Sequence, residues 1–355
     1  MKRIHAAAGA TAMSLALLMS GCAVTSTDSG DNGSTGSDEL GGSITIACGA
    51  MEDWCQAMTT AFTAETGVQA NFVRLSSGET VARLDAARDN PEFDVWHGGP
   101  VDGFGAARDA GLLEAYDSPN AAAIPDKYKD ADHYWTGVYV GALGFCSNTK
   151  VLDELGVDVP ESWEDLLDPK LKGQISTAHP STSGTAFTTL WTQVTRLGGE
   201  EEGLEYMKKM HNNVLQYSKS GTAPGQIAGR GEVAVGLVFS HDCVKYQEEG
   251  LTDLTVSFPK EGTGYEIGGV ALVKGSKNKT AAQAYIDWTL TAEAQNIGPT
   301  VGSYQVLTNP DAAVDDRMVK LEDVEFVDYD FVAAAAAKPG LTARFDAEIA
   351  AQPKE

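Results

Sequence analysis

Two short stretches hold the side chains from which chemistry would be built. The first is Ser181-Thr182-Ser183-Gly184-Thr185-Ala186-Phe187. It follows a β-like run at 174–177 and Pro180, and it leads into a helical pattern of Phe187, Leu190, Trp191, Val194 and Leu197. Small hydroxyl residues and a glycine therefore stand where a helix begins. The first N–H groups of a helix lack internal partners, and the helix dipole is positive there. Ser183, Gly184 and Thr185 are thus expected either to cradle an anion, phosphate or carboxylate, or to act as an ordinary Ser/Thr cap. The second stretch is His241-Asp242, which follows a strand-like run from Val233 to Phe239. The pair suits a base with its orienter, a helix cap at Asp242, or a set of acceptors for hydroxyl groups, since a charged carboxylate accepts strongly. No G-x-S-x-G and no plausible catalytic cysteine accompany it, so no enzyme is expected.

Other candidates fall at comparable places. Ser77 and Ser220 each open a helical pattern. His97 stands beside Gly98 and Gly99, as a ligand contact or a turn residue. Glu266 lies on a long β run, facing inward or outward. Trp135 and Tyr139 offer stacking faces or core, and Arg74 and Lys219 offer charge partners or solvated surface.

The elements that must position these residues alternate. Ser43 to Cys48 reads as a buried strand, Glu52 to Thr66 as an amphipathic helix ending at Gly67, and Gln69 to Leu75 as a second strand. A helix follows from Ser76, then a third strand ending at His97-Gly98-Gly99-Pro100. The order β-α-β-α-β with short loops implies a parallel sheet covered by helices, with ligands beyond the carboxyl ends of its strands. Cys48-Gly49-Ala50, Ser76-Ser77 and His97-Gly98-Gly99 are therefore expected on one rim. A second βα-rich segment follows, with helices expected at 162–167, at 200–210, through Ile227 and at 280–290. The β runs 135–146 and 262–273 exceed what one strand needs and serve as crossings. The expectation is an α/β chain of two lobes, each a mainly parallel sheet flanked by helices, with the crossings as hinge and the ligand between the lobes. Residues 43–143 with 272–322 would form the first lobe, and 144–271 with 323–355 the second.

The chain of 355 residues carries 26 basic side chains against 50 acidic ones. That balance argues against nucleic-acid binding and against a basic membrane-facing patch. It leaves room for a small anionic solute held by local dipoles. Residues 1–21 read as a secretory leader: Lys2 and Arg3, an apolar stretch from Ala6 to Met19, then Ser20-Gly21-Cys22. Residues 22–42 are a Ser/Thr/Gly/Asp tether. Cys22 at the leader's end resembles a bacterial lipoprotein cleavage site, which implies a lipid on Cys22 and an extracytoplasmic body anchored to the cell membrane; plain secretion is the alternative. Four cysteines remain, an even number that favours disulfides in an exported chain. Cys48 and Cys55 are close enough to bridge, which leaves Cys146 and Cys243 for a second bond. No C-x-x-C occurs and no His has metal spacing to a Cys, so neither a metal nor a cofactor is expected.

Taken in order, several stretches resemble the bacterial extracellular solute-binding proteins of ABC importers. These are Cys48-Gly49-Ala50-Met51-Glu52-Asp53-Trp54-Cys55, Ser76-Ser77-Gly78-Glu79, Asp94-Val95-Trp96, Ser183-Gly184-Thr185, Val238-Phe239-Ser240-His241-Asp242 and Glu261 to Gly268. The resemblance runs from about Gly42 to the C-terminus and is to the subgroup of ferric-ion and hexose-phosphate binders. It implies a type 2 periplasmic-binding-protein fold, permease subunits as partners and a monomer. It also places His241-Asp242 where ferric carriers keep paired Tyr, Met51 near their His and Gly99 near their carboxylate. Losing those oxygen donors would cripple a site for a hard cation, while the Ser-Gly helix start that holds the companion anion is kept. The resemblance therefore implies a small phosphorylated solute, hexose phosphate first, with His241, Asp242 and Glu266 holding sugar hydroxyls. A ferric ion or an organophosphonate is the alternative cargo.

Overall fold

The computed structural model describes residues 40–354. The leader at 1–21, Cys22 and the tether up to residue 39 lie outside the described residues, as does Glu355. The first part of the body runs β1 (Ser43–Cys48), α1 (Glu52–Thr66), β2 (Gln69–Arg74), α2 (Ser77–Ala86), β3 (Val95–Pro100), α3 (Val101–Asp109) and a short β4 (Leu113–Glu114). β2, β1 and β3 lie side by side and parallel. β3 is buried along its whole length, as a parallel strand covered on both faces should be. Gly67 ends α1 in the left-handed region, φ 77°, with its N–H on the Thr63 carbonyl. α2 starts in a capping box: Ser76 caps the helix, and its own N–H donates to Glu79 Oε2 at 3.2 Å.

β5 (Thr136–Asn148) comes next, with all 13 residues buried. The second part follows as α4 (Thr149–Leu155), β6 (Ile175–Ala178), α5 (Gly184–Leu197), α6 (Glu200–His211), β7 (Val214–Ser218), α7 (Ala223–Gly229), β8 (Val235–Phe239), α8 (Ser240–Glu248), β9 (Leu254–Ser257) and β10 (Tyr265–Val273). α9 (Lys279–Thr289), α10 (Ala292–Gln295), α11 (Ile297–Thr300), β11 (Val306–Leu307) and α12 (Phe331–Phe345) complete the chain. β6 pairs parallel with both β7 and β8, so each lobe has its parallel sheet.

The long crossings are real strands. β5 pairs antiparallel with β10 over Thr136 to Ala142, then with β8 from Leu143 onward. The chain changes sheets between those two residues. The strand order is β2-β1-β3-β10-β5-β8-β6-β7. Trp163, Phe187, Leu237 and Phe345 belong to the core of the second lobe. Two clusters, one around Trp54, Phe62 and Tyr285 and one around Trp96 and Phe104, cover the faces of the first sheet.

One expected helix shrinks. The segment at Ser162 forms a single 3-10 turn, Asp165–Leu167. Its cap is sound, since Asp165 N–H donates to Ser162 Oγ at 3.1 Å and Ser162 N–H to Asp165 Oδ2 at 2.9 Å. Pro169 pushes Asp168 out of the helical region, φ −56° and ψ 126°, and stops it.

Both disulfides form as paired in the sequence, Cys48 with Cys55 and Cys146 with Cys243. The second joins β5 to α8 and closes a loop across 97 residues. Replacing Cys146 and Cys243 together by Ala is expected to lower unfolding stability by about 2–5 kcal/mol, measured by denaturant titration. A variant as stable as the parent would show that this bond holds nothing the core does not.

Candidate functional site

A cavity opens where the carboxyl ends of the strands from both lobes meet. From the first lobe it is walled by Gly49, Ala50 and Met51 after β1, Arg74 at the end of β2, Ser76 and Ser77 at α2, and Gly99 and Pro100 at the end of β3. From the second come Ser183, Gly184 and Thr185 at α5, Gly221 and Thr222 before α7, and Phe239, His241 and Asp242 around the start of α8. Tyr139 of β5, Glu266 of β10 and Gln305 form its floor at the hinge.

The starts of α2 and α5 face each other. The Gly78 N–H donates to the Thr182 carbonyl across the cleft at 2.9 Å. A methyl group at Gly78 would stand 2.1 Å from the Ser181 carbonyl oxygen, and one at Gly184 would stand 2.8 Å from Ser77 Oγ. Only glycines permit this approach. Two helix dipoles therefore direct their positive ends at one space. Ser183 also caps α5, its Oγ accepting the Ala186 N–H at 3.3 Å, so the cap and the cleft wall are the same residue. Gly221 packs against this corner, where a Cβ would stand 2.1 Å from Thr185 Oγ1.

Opposite lies a polar cluster. His241 Nε2 is 3.6 Å from Asp242 Oδ1 and 3.7 Å from Glu266 Oε1. Both distances exceed a hydrogen bond, and buried Nδ1 has no partner. The ring lies parallel to Phe239 and against Gly141, where a Cβ would stand 2.7 Å from Cε1. Burial lowers the His241 imidazole to about 3 and raises the Asp242 carboxyl to about 7. Burial, then the neighbouring Asp242 and Asp102, raise Glu266 well above the ordinary carboxyl range. Burial thus pushes His241, Asp242 and Glu266 toward their neutral forms, which offer both donors and acceptors, a set suited to hydroxyls. Arg74 is the cation on the wall, its Nε donating to the Ala50 carbonyl at 3.1 Å and its Nη1 to Ser76 Oγ at 3.3 Å. The Tyr139 hydroxyl accepts the Gly99 N–H at 2.9 Å.

Ser77, Ser183, Gly184, Thr185, His241, Asp242 and Glu266 are brought together on this wall. Two expected contacts are not. His97 lies inside the first lobe, fully buried, its Nδ1 2.9 Å from the Tyr285 hydroxyl and its ring centre 4.5 Å from that of Trp54. His97 points to Trp54 of α1 and Tyr285 of α9, and the strand then departs from its pleat at Gly98 and Gly99, φ 85° and 88°, which carries Gly99 and Pro100 to the cavity. Ser220 turns back on its own loop, with Oγ 3.0 Å from Thr222 Oγ1, and Gly221 and Thr222 take its place. Trp135 is half-buried and packs against the core cluster of Trp96 and Phe104, and Lys219 is exposed. The reading of Asp242 as the cap of α8 gives way to Phe239 at that position, with Asp242 inside the first turn. Phe239 and Gln305 were not foreseen as wall residues, and Met51 lines the wall where the resemblance puts it, near the ferric carriers' His. Gln305 comes from a segment without a local signal, while Met51 follows from the loop after β1.

The cavity is narrow. The centre of a water molecule has about 40 Å³ to move in, against roughly 300–1,000 Å³ for ordinary metabolite sites. A solute of that size enters only when the lobes part.

The profile of bacterial extracellular solute-binding proteins matches residues 57–325. The chain belongs to this family. It is a periplasmic-type solute-binding protein of an ABC importer, with the type 2 fold. The solved periplasmic binding protein AfuA of Actinobacillus pleuropneumoniae, with exogenous fructose-6-phosphate bound, is 38% identical, with a TM-score of 0.84, covering 88% of this chain and 99% of that one. A protein of Salmonella typhimurium described as a putative 2-aminoethylphosphonate-binding periplasmic protein is 27% identical over 250 residues, 68% of this chain and 70% of its own. An Fe(3+)-binding periplasmic protein of Serratia marcescens is 23% identical over 280 residues, 77% of this chain and 81% of its own. The names of these relatives carry cargoes of three different chemistries. Among the described residues no group of three His, Cys, Asp or Glu is placed to hold a metal ion.

The raised Asp242 carboxyl gives a pH test. A group whose value is raised on folding contributes stability below its ordinary value of 3.8 and loses it as pH rises through about 7. Asp242→Asn keeps a neutral group at every pH. The ligand-free variant is therefore expected to gain on the parent between pH 4 and pH 8, by on the order of 1 kcal/mol or more, in thermal unfolding at stepped pH. Parallel curves for the two proteins would mean that Asp242 ionises freely.

Proposed function

We propose that this protein captures a small phosphorylated solute in the cleft between its lobes, a hexose monophosphate first, and delivers it to the membrane permease. The observation that carries the reading is the placement of the α2 and α5 starts opposite the His241, Asp242 and Glu266 cluster. Ser77, Ser183, Gly184 and Thr185 would hold the phosphate by hydroxyls and helix dipoles, with Arg74 adding charge. His241, Asp242 and Glu266 would hold ring hydroxyls. The likeness to AfuA, solved with fructose-6-phosphate, supports the same class. On this reading the protein is a receptor without turnover, works as a monomer, and is tethered to the outer face of the cell membrane by a lipid on Cys22. Residues 43–143 with 272–322, and 144–271 with 323–355, are the two jaws.

A second reading is an aminoalkylphosphonate. The likeness to the Salmonella protein supports it, and Asp242 with Glu266 would receive an ammonium opposite the same anion cradle. A ferric cargo is weaker, because His241 and Asp242 stand where the family resemblance puts paired Tyr.

Differential melting separates these readings. Saturating glucose 6-phosphate or fructose 6-phosphate, at about 100 times its dissociation constant, should stabilise the protein by about 2.7 kcal/mol. The parent hexoses should leave the midpoint unchanged, and Asp242→Ala should abolish most of the shift. A midpoint moved by 2-aminoethylphosphonate and by no sugar phosphate would transfer the cargo to the second reading. A midpoint that no phosphate ester, phosphonate or inorganic phosphate moves would sink the anion reading.

A further inference from the structure

α8 does two things at two levels of one face. Its first turn brings His241 and Asp242 to the cavity. One turn later on that face Lys245 lies outside the cavity and lines the recess beside it. Its ammonium is paired with the carboxylate of Asp53 on α1, in the opposite lobe. The same nitrogen donates to the Val301 carbonyl at 3.1 Å. Val301 packs on the core of the first lobe. Lys245 is held on its own helix by Glu249 at 3.3 Å.

The surroundings fit a closed contact. The Lys245 side chain is only 10% exposed, although it sits at the mouth of the cleft. Gly302 beneath it has φ 76°, and a Cβ there would stand 3.3 Å from Nζ. An exposed pair supports the same seam, Arg317 Nη1 to Glu248 Oε2 at 3.4 Å. An outer recess lies between Lys245 and the cavity, and Met51, Arg74 and Thr222 line both. Lys245 therefore lines the recess that adjoins the cavity, with Asp53 of the other lobe opposite it.

We propose that Lys245 is a clasp that holds the lobes closed and so sets how long a solute remains in the cleft, without touching it. The part concerning residence time rests on the cleft being the solute site; the clasp itself does not. Lys245 is a positioning residue: it acts through the relation of α8 to α1. Breaking the clasp returns an ammonium and a carboxylate to water and removes their attraction from the closed state alone. A solute must then escape from a cleft that opens more often, while entry is little altered.

The test has two arms. In the first, small-angle scattering of the ligand-free chain compares the parent with Lys245→Met, Asp53→Asn and Lys245→Arg. The parent should be the most compact, Lys245→Met and Asp53→Asn should show a larger radius of gyration, and Lys245→Arg should restore compaction. In the second arm, stopped-flow binding of fructose 6-phosphate should show dissociation about fivefold faster in Lys245→Met, with association within twofold of the parent. Asp53 is half exposed, so Asp53→Asn keeps the test open if Lys245→Met does not fold. Scattering curves that superimpose for the parent, Asp53→Asn and any folded Lys245→Met overturn the clasp. Where the parent binds fructose 6-phosphate, a dissociation rate unchanged in Lys245→Met and in Asp53→Asn overturns the control of residence time. Failure of the parent to bind fructose 6-phosphate counts against the proposed cargo, and the scattering arm still decides the clasp.

Discussion

One strand bears the arrangement. β5 gives its first half to the sheet of the first lobe and its second half to the sheet of the other, with every residue buried. An extended backbone buried on both faces must pair its N–H and C=O groups along its whole length, so the junction of the lobes is fixed by hydrogen bonds. Tyr139 reaches the cavity from this strand, Gly141 leaves room there for the His241 ring, and Cys146 ties α8 back to it. The spacing between the two walls is inherited from the point where β5 changes partners.

Burial then determines the character of the site. A strongly acidic protein would repel an anion if its cleft carboxyls were charged. Burial raises the Asp242 carboxyl to about 7 and Glu266 well above the ordinary range, which reduces the negative charge they place in the cleft, while two helix starts and Arg74 supply positive potential. The cleft is in this way electrically unlike the surface around it. The glycines at 78, 184 and 221 serve the same end, since each lets backbone come where any side chain would collide.

Much of this was legible in the sequence, and the remainder has physical reasons. The β-α-β-α-β order, the two crossings and the two disulfides follow from periodicity, length and cysteine count. Ser183, Gly184 and Thr185 announce themselves because a helix start is a local event. His97 misled because the residue before a pair of glycines looks like a turn, whereas it is the last inward-facing position of β3, held by Tyr285 from α9. Ser220 misled by one residue, since its hydroxyl closes its own turn. Gln305 and the Lys245 contact with Asp53 depend on segments far apart in the chain, and no local pattern encodes such meetings.

The disulfides also bear on how the protein is made. Cys48 and Cys55 are seven residues apart, so their bond needs little more than the first turn of α1. Cys146 must wait for Cys243, and hence for most of the second lobe to emerge. In an oxidising compartment Cys48 and Cys55 would compete for Cys146 unless those two had already joined. The short loop thus acts as a safeguard of fidelity: by sealing the first pair locally, it withdraws Cys48 and Cys55 as wrong partners for Cys146 during the interval before the right one arrives.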